Sequence, residues 1–247
     1  RFLIEECACN PNQPQRGKRS FSGRTPLHWA ARNGHVKVVE YLVQECNVDL
    51  EATTLDGTTA FCWASWQGHV AVMQFLCDNG CNTNSVNSYG CNAVLWAAQG
   101  NSDLATIQWL EAKGCEMTRV NNNGHGVLHK AAQRGQLAVC EWFFDRWIET
   151  STDTQSSLPL VAPDVEGWCP SDLAGMEGHD ELARFLANKE MHLITKLAKN
   201  NVNLPSLLTE TYEGVSMRVS ERELYTWERL GGVRRMRSRL GTSSNAC

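Results

Sequence analysis

An all-α helical solenoid is predicted for this 247-residue chain by three observations: a motif that recurs at a nearly constant period, a second column in the same register, and a helix-stopping glycine between them. The motif reads Thr25-Pro26-Leu27-His28-Trp29-Ala30, Thr59-Ala60-Phe61-Cys62-Trp63-Ala64, Asn92-Ala93-Val94-Leu95-Trp96-Ala97, Gly126-Val127-Leu128-His129-Lys130-Ala131 and Cys169-Pro170-Ser171-Asp172-Leu173-Ala174, with starts stepping by 34, 33, 34 and 43. The second column, an aromatic followed by an apolar residue, comprises Tyr41-Leu42, Phe75-Leu76, Trp109-Leu110, Trp142-Phe143 and Phe185-Leu186. Phe2-Leu3 fits this column one repeat earlier, so the chain is expected to begin inside a repeat whose first helix is missing. That makes five full repeats and a partial leading one.

Each repeat reads as two short helices. Thr25 is a helix N-cap, Pro26 supplies a preset φ where no amide donor is needed, and Gly34 can take the left-handed conformation that ends a helix of about two turns. After Gly34-His35, the residues Val36, Val39, Leu42 and Val43 fall at helical spacing and predict a second helix antiparallel to the first. Ala30-Ala31, Ala97-Ala98 and Ala131-Ala132 allow close backbone approach. The connections, such as Asn82 to Gly90 and Asn121-Asn122-Asn123-Gly124, are rich in turn formers and predict hairpin-like loops.

Through Gly23-Arg24-Thr25-Pro26-Leu27-His28-Trp29-Ala30-Ala31, Asn33-Gly34-His35 and Val38-Val39-Glu40-Tyr41-Leu42, the sequence resembles the ankyrin repeat family. The resemblance covers residues 1 to about 190. It weakens after the first full repeat: the second and third lack the Pro and His, and the fourth lacks the Thr-Pro pair. It implies helix pairs that contact only their neighbours, with loop tips and first helices along a concave surface that typically binds other proteins.

The domain reading is an array over 1–190 and a partly helical basic tail over 191–247. Residues 149–163, rich in Ser, Thr and Pro, account for most of the long step and read as a surface loop. Beyond Asn188 the period ends. A helix is expected near Met191 to Lys199, then a linker through Pro205 and a capped helix in which Ser220 and Glu223 form a capping box. From Glu213 to Cys247 seven Arg face four Glu, a local charge of +3 within a chain of net charge −4.

The composition, 42% hydrophobic and 20% charged, suits a folded chain and gives no whole-chain case for polyanions. Eleven cysteines, odd in number and without an N-x-Ser/Thr site beside them, read as reduced thiols of an intracellular protein, cytoplasmic or nuclear. No leader and no membrane-spanning apolar run is visible. Phosphate-loop, zinc-protease, hydrolase-elbow and C-x-x-C motifs are absent, so no enzyme, cofactor, metal or small-molecule substrate is expected. Cys77-x-x-x-Cys81 with Cys91 and Cys115 reads as packed thiols, because Cys81 and Cys115 fall at one repeat position. His28, His129, His35, His69 and His179 all occupy motif or helix-end positions.

Tryptophan is more informative. Trp29, Trp63 and Trp96 each follow the motif His position, while the Leu27, Ala30 and Ala31 positions already fill the buried side of that helix. Helices spaced roughly 10 Å apart would set these rings in a ladder, with Trp66 one turn beyond Trp63. Either the indoles cover neighbouring helices or they face a partner. The aromatics of the second column read as core or inter-repeat packing. Candidate partner-binding residues are therefore Trp29, Trp63, Trp66 and Trp96, with Asn87, Tyr89, Asn122 and Asn123 on the hairpin tips. The function that follows is a non-catalytic scaffold or adaptor for a protein partner. Two readings compete with it: a binder of anionic polymer, nucleic acid or membrane, through Arg234, Arg235, Arg237 and Arg239, and a regulatory segment of a larger enzyme.

Overall fold

The structure is a computed structural model that describes residues 9–14, 23–149 and 160–199, with side chains described to 148 in the second span and to 193 in the third. The expected tail helix at Val219–Glu223, its linker and the four clustered arginines lie outside the described residues. The chain divides into two compact units, Arg1–Arg119 and Val120–Cys247.

In the first unit three helical pairs follow one another: α1 (Pro26–Arg32) with α2 (Val36–Gln44), α3 (Ala60–Gln67) with α4 (Val70–Asp78), and α5 (Ala93–Gln99) with α6 (Leu104–Ala112). The first helices pack on one another, α1 on α3 and α3 on α5, and α2 packs on α4. Ala30, Ala31, Ala64, Ala97 and Ala98 are buried at these contacts and let the backbones close up, while Leu27, Phe61, Val94 and Leu95 fill the space between them. Caps persist where the motif degrades. Thr59 Oγ1 accepts from the Cys62 N–H at 3.4 Å and Asn92 Oδ1 from the Leu95 N–H at 3.1 Å, so loss of the Pro and His leaves the helix start specified.

The motif histidine ties a helix to the following hairpin. His28 Nδ1 accepts from the Thr25 N–H at 3.0 Å, and its Nε2 lies 3.1 Å from the Thr58 carbonyl. This fixes a neutral tautomer with the proton on Nε2, and burial lowers the pKa to about 4. The hairpins themselves are Asx- and Thr-braced turns. Gly57 N–H donates to Thr54 O at 2.8 Å and Gly90 N–H to Asn87 O at 2.9 Å, and the two tips are joined by Ser88 N–H to Asp56 O at 2.8 Å.

The second unit repeats the scheme with α7 (Val127–Gln133), α8 (Leu137–Phe143), α9 (Pro170–Met176) and α10 (Asp180–Lys199). His129 Nδ1 accepts from the Gly126 N–H at 3.3 Å and its Nε2 meets the Ala162 carbonyl at 3.0 Å. The unit departs from a plain repeat at three places. Helix α8 continues as a π-helical segment, Phe144–Glu149, that buries Phe144 and Ile148. The surface loop expected over 149–163 does not extend to its end: Leu160, Val161 and Ala162 are buried, because the His129 bond and the apolar side chains return the backbone to the core before the next turn. The helix expected near Met191 to Lys199 is present as the second half of α10, which runs without a break through Asn188 and is held where buried Glu190 bonds Ser171.

The second column also divides differently from expectation. Leu42, Leu76, Leu110, Phe143 and Leu186 are the fully buried members, whereas Tyr41, Phe75, Trp109, Trp142 and Phe185 are half-buried. Consecutive helical positions lie about 100° apart, so one of each pair faces the core and the other its rim.

Candidate functional site

The tryptophans come together in the first unit, but not as a ladder spaced by helix packing. Trp63 and Trp66, one turn apart on α3, meet edge to face with ring centres 5.4 Å apart, and Trp96 on α5 lies 5.4 Å from Trp63 and 6.1 Å from Trp66. Indoles are long enough to span the gap between the helices that carry them, so the expected 10 Å rungs collapse into a cluster.

Glycine makes this closure sterically feasible. A Cβ on Gly100 would stand 1.8 Å from the Trp66 carbonyl oxygen, and the next residue donates its Asn101 N–H to that oxygen at 2.7 Å. The end of α3 is thereby held against the turn after α5, and Trp66 against Trp96.

Two arginines complete the cluster. The Arg24 guanidinium carbon lies 3.9 Å from the Trp63 ring centre and 4.9 Å from that of Trp29. That of Arg32 lies 5.6 Å from Trp29, 5.7 Å from Trp63 and 5.2 Å from Trp66. Trp29 is thus tied to the cluster through the two cations. Arg24 is buried, and burial, then the like charge of Arg32, lowers its pKa while Asp56 acts in the opposite direction. Arg32 Nε and the indole nitrogens of Trp63 and Trp96 are buried donors with no hydrogen-bond acceptor among the described residues.

These observations separate the tryptophans by role. Trp63, only 7% exposed, is a packing residue under the cluster, which corrects its place among partner-facing rings. Trp29, Trp66 and Trp96 are half-buried and keep part of their surface accessible. Asn87 is corrected in the same way. It is 6% exposed, and its Oδ1 accepts from the Tyr89 and Cys91 N–H groups at 3.1 and 2.9 Å, so its side chain is consumed by the turn. Tyr89 is 60% exposed at the tip.

The family model for ankyrin repeats (3 copies) matches residues 1–87 and 94–197. The chain belongs to the ankyrin repeat family. No curated protein matches it. Ankyrin repeats are generally protein-protein interaction modules, and their fold is typically non-catalytic. In the family's terms the cluster occupies the first helices of three successive repeats, and Tyr89 a hairpin tip.

Three residues of this ankyrin face escaped the sequence reading, although the register held the signal for two of them. Arg32 is three positions beyond Trp29 and so shares its side of α1. Arg24 immediately precedes the cap of the same helix. Leu55, 79% exposed, lies on the preceding tip, one position before Asp56, which the register aligns with Tyr89.

In the second unit, Asn122 and Asn123 are exposed at the tip closed by Gly124 N–H to Asn121 O at 2.9 Å. Beside them His125 Nε2 lies 2.8 Å from Asp164 Oδ2, and its ring stacks on His129 at 5.4 Å. This histidine–carboxylate pair links two adjacent tips. Of the thiols read as packed, Cys91 and Cys115 are buried and Cys77 and Cys81 half-buried; burial raises the pKa of Cys77, Cys81 and Cys115. Among the described residues no group of three or more His, Cys, Asp or Glu could hold a metal ion, and no helix is long and apolar enough to cross a membrane.

Proposed function

We propose that the chain is a non-catalytic scaffold or adaptor whose ankyrin array, residues 1–190, binds a protein partner, and that the contact is centred on Trp29, Trp66 and Trp96. The observation that carries this reading is the half-buried tryptophan cluster on helices whose opposite sides are already filled by Leu27, Phe61 and Val94. Tryptophan and arginine are the residue types most enriched among the few that dominate binding energy. Trp63 supports the outer rings from beneath. Tyr89 and Leu55 extend the contact to the tips of the same unit, and Asn122 and Asn123 offer a polar tip in the other. Large exposed apolar residues on two successive tips mark an interaction surface rather than scattered exposure. The eleven cysteines, odd in number and without an N-x-Ser/Thr site, support an intracellular, reducing setting.

The test is a peptide-display selection on the full chain, repeated on Trp66→Ala, Trp96→Ala and Tyr89→Ala. Selected peptides should lose about 2 kcal/mol or more of binding to each variant while its melting temperature stays within a few degrees. Retained binding by all three variants would remove the assigned face.

A further inference from the structure

Given the protein-binding face proposed above, on which this inference rests, we infer that the partner segment it receives is acidic: a stretch of polypeptide bearing aspartate or glutamate, one of whose carboxylates pairs with the Arg32 guanidinium beside Trp29 and Trp66.

The charge pattern points one way. Helices α1, α3 and α5 read PLHWAAR, AFCWASWQ and AVLWAAQ, so the three that carry the cluster hold no acidic residue. Against this, Arg24 and Arg32 bring two positive charges to the same pair of rings, both within 6 Å of the Trp29 and Trp63 centres. Asp56 acts on Arg24 in the opposite direction to Arg32, and its carboxylate accepts hydrogen bonds from the Thr54 and Thr58 hydroxyls. Arg32 itself has no ion pair and no side-chain hydrogen bond with any described residue, and its Nε is a buried donor without an acceptor. A guanidinium held between aromatic rings and left without an anion is a preorganised fork for a carboxylate, which it meets through paired N–H···O bonds.

The rings argue for a protein carboxylate over a nucleic-acid phosphate. Single-stranded nucleic acid needs open aromatic faces on which bases stack. Here Trp63, Trp66 and Trp96 meet one another edge to face or tilted, and the guanidinium groups lie over Trp29, Trp63 and Trp66. Faces engaged by neighbouring rings and guanidinium groups are not open platforms for bases.

The experiment titrates the full chain, by tryptophan fluorescence, with two synthetic peptides that differ only in glutamate against its isostere glutamine, and repeats both titrations on Arg32→Gln and Arg32→Lys. The glutamate peptide should bind at least about tenfold more tightly, with an advantage that shrinks as salt rises. Arg32→Gln should abolish that preference and Arg32→Lys reduce it. If Arg32→Gln lowers the melting temperature, the ratio of the two peptides on the unaltered chain decides alone. Equal affinity for both peptides, with binding still lost in Trp66→Ala, would overturn the acidic chemistry and leave the protein-binding face standing. No saturable binding of either, while the selected peptides above bind and respond to Trp66→Ala, would also overturn it. Failure of both sets to respond to Trp66→Ala would overturn the face as well. A duplex oligonucleotide that binds more tightly than the glutamate peptide and depends equally on Arg32 would transfer the site to nucleic acid and defeat the inference.

Discussion

Ser171 donates twice to Glu190, from its backbone N–H to Oε1 at 3.0 Å and from its hydroxyl to Oε2 at 2.5 Å, inside the second unit. The carboxyl is buried, and burial pushes its pKa up from 4.5 to about 8. Between these values the folded chain holds a proton that the unfolded chain has released. The stabilisation is therefore fully present below pH 4.5 and is lost as pH rises towards 8, at about 1.4 kcal/mol per pH unit. Glu190→Gln removes the titration. The variant should be more stable than the parent at pH 8 and close to it at pH 4.5, as read by urea midpoints at the two values; parallel pH profiles would show that Glu190 stays ionised in the fold.

The motif histidines act with the opposite sign. Burial lowers His129 to about 3 and His28 to about 4 from an ordinary 6.5. Their contribution is present above pH 6.5 and disappears as pH falls through the folded values. In the second unit the His129 and Glu190 slopes cancel between pH 4.5 and 6.5, giving a plateau. The first unit, with His28, should lose stability from pH 6.5 down to 4. His28→Gln is expected to be less stable at neutral pH and flatter through that window, measured by hydrogen exchange resolved to the first unit.

The tryptophans should separate by which quantity moves. Trp63→Ala, at a buried ring under Arg24, is expected to cost about 3–5 kcal/mol of stability. Trp29→Ala, Trp66→Ala and Trp96→Ala should cost less than half of that and should remove the fluorescence most accessible to acrylamide. Similar losses from all four would make the cluster a core and nothing else.

How much of this was legible can be judged from particular residues. The repeat register located Leu27, Ala30 and Ala31 on the buried side of the first helix and explained His28 and His129 by their motif position, because caps and periodic apolar positions are local signals. The contraction of the rings to 5.4 Å was not legible, since it depends on how side chains lean between helices and on the close approach at Gly100. Nor was the burial of Asn87, whose side chain serves its own turn. The burial of Leu160 to Ala162 was hidden by a Ser/Thr-rich neighbourhood, where composition describes the approach to the core and not the point of return. Arg24 and Arg32 were missed because a charge beside a repeat motif reads as solvated surface until its partners are known.

Gly100 links the fold to the face and is tested by comparison with Gly80. Gly80 adopts φ 85 with nothing within 4 Å of an added Cβ, so Gly80→Ala measures the conformational penalty alone, about 1–2 kcal/mol. Gly100 has φ −90, which alanine adopts without strain, so any loss there is steric. Its Cβ would stand 1.8 Å from the Trp66 carbonyl oxygen and 2.2 Å from Trp66 Cδ1, against backbone that cannot simply rotate away. Gly100→Ala should therefore cost about 3 kcal/mol, at or above the usual range for overpacking. It should also break the Asn101 N–H bond to Trp66 and shift tryptophan emission as Trp66 and Trp96 separate, neither of which Gly80→Ala should do. Equal losses and unchanged emission in the two variants would mean that α3 and α5 are held together elsewhere and that Gly100 does not set the geometry of the cluster.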